Sequence, residues 1–241
     1  MRQSIHFRWI AQAEARLVRQ QAALQRAASE PHVSILHTQP RPAWFNRLRE
    51  LWWTTDPTEA TNRSPSSPED DIDRVLVTVL ITDIVGSTER VAEIGDRAWR
   101  ALLDRHDDAT RFQIKRFGGC EVSDRGDGFV GIFNSPARAV RCAVAIVNTI
   151  APLGISVRCG IHVGEVHIRR EAIIGIAVHI AARIAAKASP GEALVSRTVR
   201  DLVAGSGLVF EDRGVHQLRG LPKEIHLYAM RASVSAPPCP S

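Results

Sequence analysis

A chain of 241 residues, 44% of them hydrophobic, is long enough to bury one substantial core with residues to spare. There is no apolar run of about 18 residues, and the opening MRQSIHFRWIAQ interrupts each short apolar stretch with a charge or an amide, so neither a spanning helix nor a secretory leader is expected. The net charge of +5 lies wholly in residues 1–50, which hold eight arginines against three glutamates, while the remainder balances 23 basic against 23 acidic residues. Four cysteines (Cys120, Cys142, Cys159, Cys239) stand far apart with no C-x-x-C pair. That spacing argues against a zinc site or a disulfide framework and predicts a reducing, cytoplasmic setting.

Residues 1–53 read as a basic helical N-terminal arm. Ile10, Leu17 and Leu24 recur at heptad spacing, but Ala and Gln fill the intervening positions and make a poor coiled coil. A second patch, PAWFNRLRELWW, places Trp44, Phe45, Leu48, Leu51 and Trp52 on one helical face. The arm is a candidate contact for another domain, a membrane surface, a regulator or nucleic acid, and equally a solvated connecting helix. Residues 54–74, rich in Pro, Ser and acids, read as a flexible linker, residues 75–231 as the folded domain, and residues 232–241 as a disordered tail.

From Val75 the texture changes. VLVTVLITDI is a β-branched run that predicts a strand buried on both faces, ended by Gly86 and Ser87. A long helix follows the Gly95-Asp96 break, with Asp96 as its cap and Gly118-Gly119 as its stop. Two short strands, CEVS and FVGIF, flank the turn DRGDG, and Ser135-Pro136 opens a helix that ends by Pro152. ISVRCGIHV and EVHIRR read as two strands, IGIAVHIAARIAAKA as a helix, EALVS as a strand, and LVFEDRGVHQL and EIHLYAM as two more. This β-α-β-β-α-β order predicts an α+β, ferredoxin-like antiparallel sheet with helices on one face and additional C-terminal strands.

Two carboxylates stand out. Asp83 ends the first buried strand, and Asp127 sits in the hairpin SDRGDGF. A carboxylate after an apolar strand is costly to desolvate and needs a cation or a strong donor. If the two strands are neighbours, both carboxylates leave the same edge, an arrangement of hard oxygens suited to Mg²⁺ on a polyphosphate. The stretch IVGSTE offers amides and hydroxyls before a helix start. Taken singly, Asp83 is equally a cap and Asp127 equally a turn residue. There is no P-loop, EF-hand ladder or G-x-S-x-G elbow. In GIAVHIAARIAAKA, His179 and Arg183 lie four apart on one face, where an arginine among small residues suits a phosphoryl group or a structural pair.

Five stretches in order, TVLITDIVGSTERVAEIGDRAW, GDGFVGIF, RCGIHVGEV, GIAVHIAAR and SPGEALVSRTVRDL, together resemble the class III adenylyl and guanylyl cyclases of the bacterial type. The resemblance implies that Asp83, Asp127 and the carbonyl of Ile84 hold two Mg²⁺ or Mn²⁺ ions. Gly86, Ser87 and Thr88 would then lie along the bound nucleotide. It also implies that Arg183 stabilises charge on the α-phosphate of ATP (or GTP), that His179 takes the place of an asparagine that positions the ribose, and that two chains form a homodimer with active sites at the subunit interface. The positions that usually select the base are Ser123, where adenine-preferring members carry Lys, and Ala172, where they carry Asp or Thr. Losing both weakens base discrimination. Two principal readings follow: a working nucleotidyl cyclase that makes cyclic AMP, and a degenerate cyclase-homology domain serving as nucleotide sensor or dimerisation module.

Overall fold

The computed structural model describes residues 73–123, 128–169, 172–221 and 223–230. The expected arm and the tail lie outside the described residues, as does the linker up to residue 72. β1 spans Asp73–Ile84, so the expected domain start at Val75 falls inside this strand. From Val77 onward the run is buried on both sides: Val77, Val79 and Ile81 enter one cluster, and Leu80 and Ile84 enter another. Leu76, in the part of the run before that, is 67% exposed, so the expectation of burial throughout does not hold there.

Between β1 and the next strand lie α1 (Ser87–Ile94) and α2 (Asp96–Arg116). β2 (Cys120–Ser123) and β3 (Val130–Phe133) follow, then α3 (Pro136–Ile150) and β4 (Val157–Arg169). Ser135 caps α3, accepting from the backbone N–H of Arg138, with Pro136 at the first helical position. After β5 (Ala172–Ile174) come α4 (Ile176–Lys187), β6 (Ala193–Ser196), α5 (Arg197–Leu202), β7 (Phe210–His216) and β8 (Ile225–Met230).

The sheet runs β2-β3-β1-β4-β6-β8-β7, with β5 paired to β4. The first four of these are mutually antiparallel in the ferredoxin-like order, with β1 central between β3 and β4. β6 joins β4 in parallel, and β8 and β7 extend the sheet antiparallel. The fold is α+β, as expected.

Two expectations need correction. The helices are not confined to one face. Cys159 of β4 lies beneath α3, its Sγ 4.0 Å from the carbonyl oxygen of Ala143, while the next residue, Gly160, lies beneath α4. Adjacent strand residues face opposite ways, so α3 and α4 cover opposite sides. ISVRCGIHV and EVHIRR are also one strand, not two. β1 and β4 pair without a break from Asp73↔Ile168 to Ile84↔Val157.

His162, one turn of the pleat beyond Gly160, shares a 2.8 Å hydrogen bond between its Nδ1 and Ser196 Oγ, tying β4 to β6. Burial pushes its imidazole down to about 4. A histidine with a depressed folded-state pKa contributes its full stability above the unfolded value and loses it as pH falls from about 6.5 toward 4. The domain is therefore expected to lose about 2 kcal/mol between pH 7 and 4.5 that a His162→Gln variant retains, read by denaturant titration at both pH values. No helix among the described residues is long and apolar enough to cross a membrane.

Candidate active site

Asp83 is the last-but-one residue of β1 and lies on the α4 side of the sheet with Val79 and Ile81. Directly across the antiparallel pair stands Arg158 of β4. Its Nε and Nη2 donate to Asp83 Oδ2 at 2.8 and 2.6 Å. The side chains are only 19% and 17% exposed, so the carboxylate is largely desolvated and meets its positive charge at close range. The strong donor that a desolvated carboxylate needs is here the Arg158 guanidinium.

Immediately beyond, the N–H of Val85 donates to the Ser156 carbonyl at 2.8 Å and closes the β1–β4 ladder. Gly86 turns the chain with φ 68°, a left-handed conformation that glycine adopts without penalty, and Ser87 begins α1. Ser87 is half-buried and Thr88 exposed at this helix start. Ile84, whose carbonyl was expected to assist a metal, is the final residue of β1, with its side chain buried in the core.

β3 lies beside β1, as the two-carboxylate reading requires. The N–H of Thr82 donates to the Phe129 carbonyl at 3.0 Å, and the N–H of Phe129 donates to Thr82 Oγ1 at 3.2 Å. A Cβ at Gly128 would stand 2.5 Å from the Thr82 carbonyl oxygen, so only glycine permits this approach. The backbone leaving the hairpin is thus bolted to the residue next to Asp83. Asp127 itself lies outside the described residues, as do the side chains of Ser123 and Ala172. Ser123 ends β2 opposite Val130, after a register shift that follows Glu121, and Ala172 opens β5 opposite Arg169.

His179 and Arg183 are half-buried on α4. The helix meets β4 through Ala177, Ala181 and Ala185, which pack over Gly164 and Gly160. His179 and Arg183 stand two residues beyond the first two of these, about 200° around the helix and so directed away from the sheet. Asp83 thus lies on the sheet face that α4 covers, and the His179–Arg183 pair lies on the opposite face of that helix.

The donor chemistry fits a divalent cation. Asp83 and a strand-end carbonyl are hard oxygens on a rigid element, with Oδ2 of the carboxylate held by Arg158. Among the described residues no three His, Cys, Asp or Glu side chains cluster to hold a metal. Sequence reasoning missed Arg158. Its signal was a charge at the head of the strand, next to the apolar stretch Cys159–Ile161, but only the register Asp83↔Arg158 shows what that charge meets.

The family model for the adenylate and guanylate cyclase catalytic domain matches residues 71–232. The chain belongs to this family. Its cyclase domain is 27% identical over 170 residues to a putative adenylate cyclase 3 of Rhizobium meliloti, covering 66% of this chain and 29% of that protein. An uncharacterized protein of Mycobacterium tuberculosis is 32% identical over 153 residues, covering 61% of this chain and 53% of that one. The chain thus spans about half, or less, of the length of these relatives. In fold, the cyclase domain is similar to the adenylyl cyclase CyaB from P. aeruginosa, with a TM-score of 0.64 at 22% identity over 67% of this chain and 96% of that one.

Proposed function

We propose that this cyclase domain is a working enzyme. It converts a purine nucleoside triphosphate, ATP in the first instance, to its 3′,5′-cyclic monophosphate and pyrophosphate, acting as a homodimer. The observation that carries the reading is the split site: a desolvated carboxylate facing a cation at the end of β1, and a histidine–arginine pair turned outward on α4. An antiparallel second copy supplies to each carboxylate the α4 face that its own chain turns away, and the symmetry generates two equivalent sites.

Asp83, Asp127 and the Ile84 carbonyl would hold two divalent ions, Mg²⁺ or Mn²⁺. Bound there, such ions lower the pKa of the ribose 3′-hydroxyl and offset the charge of departing pyrophosphate. Arg158 orients the Asp83 carboxylate through its paired hydrogen bonds. The Gly86 turn with Ser87 and Thr88 lets backbone and hydroxyl groups approach the phosphates. Arg183 from the facing chain donates to the α-phosphate oxygens as the 3′-oxygen attacks the phosphorus in line and the bond to the β-phosphate oxygen breaks. His179 offers one hydrogen bond to the ribose. Ser123 has a short neutral hydroxyl and Ala172 has no polar group, so the base is poorly discriminated.

The same departures at Ser123, Ala172 and His179 favour a second reading, a nucleotide-sensing or dimerisation module without turnover. Purified protein with Mn²⁺ separates the two. We expect cyclic product from both ATP and GTP, with specificity constants within about tenfold of each other, and none from Asp127→Ala. Nucleotide bound without product establishes the sensor instead. The arm over residues 1–53 is proposed to contact another domain, a membrane surface or a regulator. Deleting it should leave turnover intact and remove that contact.

A further inference from the structure

Behind the β2–β3 hairpin, side chains with no part in the chemistry above converge on one ring. Phe129 is 2% exposed. The His106 imidazole packs against it at 5.7 Å between centroids, tilted 53°. Arg111 places its guanidinium 5.2 Å from the ring centroid, within the range of a cation–π contact. The same guanidinium donates from Nε to both oxygens of Glu121 at 3.3 and 3.2 Å, with Asp107 Oδ2 3.8 Å from Nη2. One arginine of α2 therefore holds β2 through Glu121 and, through Phe129, the residue that leads into β3.

The place of this grip matters. β2 and β3 are four residues each, and their pairing shifts register between Glu121 and Ser123, so the ladder is irregular at the residue Arg111 holds. Phe129 in turn exchanges two hydrogen bonds with Thr82, the residue before Asp83. The chain of contacts runs from Arg111 to Phe129, to Thr82, and so to the end of β1.

We infer that Arg111 is a positioning residue, which clamps Glu121 and Phe129 and thereby fixes the start of β3 against the strand end that carries Asp83. The inference rests on the cyclase reading. Its contribution to stability is small, because Arg111 is 41% exposed and an exposed pair contributes little. Its contribution to geometry is large, because a displacement of about 1 Å at reacting groups costs up to about a hundredfold in rate.

The test compares the full chain with Arg111→Met, which keeps the aliphatic stem, and Arg111→Lys, which keeps the cation. The readouts are kcat and KM for ATP with Mn²⁺, melting temperature, and hydrogen exchange at the Thr82 and Phe129 amides. In Arg111→Met, kcat is expected to fall about tenfold with KM within about twofold, while both amides exchange about tenfold faster. The melting temperature should move by no more than about 3 °C, and Lys should recover most of kcat. Unchanged exchange and unchanged kcat in the methionine variant overturn the inference and leave the cyclase reading standing. So does a rate loss that merely tracks a large drop in melting temperature, since that is a structural role. A parent protein that turns over neither nucleotide overturns the cyclase reading, and this role with it.

Discussion

Asp83→Asn is expected to fold and to bind nucleoside triphosphate, yet to form cyclic product at least about a thousandfold more slowly than the parent. The substitution keeps the shape and one acceptor oxygen while removing the charge. A neutral amide is a poor ligand for a hard cation, and the second carboxylate cannot replace it. Stability shifts in a way that tests the geometry independently. Arg158, 17% exposed, is left with a neutral partner at the position where it donated twice to Asp83 Oδ2. Stranding a largely desolvated guanidinium should cost about 1–3 kcal/mol. Arg158→Met in the same background should recover part of that loss, because it removes the stranded charge. A double-mutant cycle by denaturant titration therefore gives a positive coupling energy while turnover remains absent. If Asp83→Asn kept turnover within a few-fold of the parent, Asp83 would have no role at the reacting centre. If its stability were unchanged, the pair with Arg158 would be worth nothing in solution.

Much of this arrangement is legible in the sequence, for identifiable reasons. A run of β-branched and aliphatic residues reads as a doubly buried strand, and β1 is one from Val77 onward. Ser-Pro opens α3 because the hydroxyl and the ring each suit one position of a helix start. The neighbouring of β1 and β3, which the two-carboxylate argument needed, is also present. Other features are not written locally. STERVAEI buries no residue, so although IVGSTE reads as preceding a helix start, burial gives no sign of the separate short helix α1 before the Gly95 break. Asp96 was expected to cap α2, but Gly95 occupies that position, entering with φ 79°, and Asp96 is already helical. Gly164 reads as the break between ISVRCGIHV and EVHIRR, because an isolated glycine in a strand pattern commonly marks an irregularity, and β4 nevertheless runs straight through it. Gly164 serves a different need: a Cβ there would lie 2.8 Å from that of Ala177. The Arg158–Asp83 pair depends on a register between residues 75 apart in sequence, which no periodicity records. The outward turn of His179 and Arg183 likewise appears only once the alanines that seat α4 are known.

That seating gives the other large effect. Gly160→Ala should destabilise the domain by about 3 kcal/mol or more, lowering the melting temperature by roughly 6–12 °C. A Cβ at this position would stand 2.2 Å from the Ala185 nitrogen and 2.3 Å from the Ala181 carbonyl oxygen. Both are helix backbone, so no rotamer change relieves the overlap, and α4 as a whole has to lift from β4. Gly191→Ala is the control. Gly191 has φ 77° with nothing near its missing Cβ, so its cost is conformational alone, about 1 kcal/mol. The difference between the two variants isolates close approach from backbone strain. The displacement also carries His179 and Arg183 with it. Under the dimeric cyclase reading, Gly160→Ala held well below its own melting temperature should lose at least about tenfold in kcat, whereas Gly191→Ala should not. Matched stability losses with equal turnover would mean that α4 is not packed on Gly160 as described. A stability loss without a rate loss would retain the packing and remove α4 from the reacting centre.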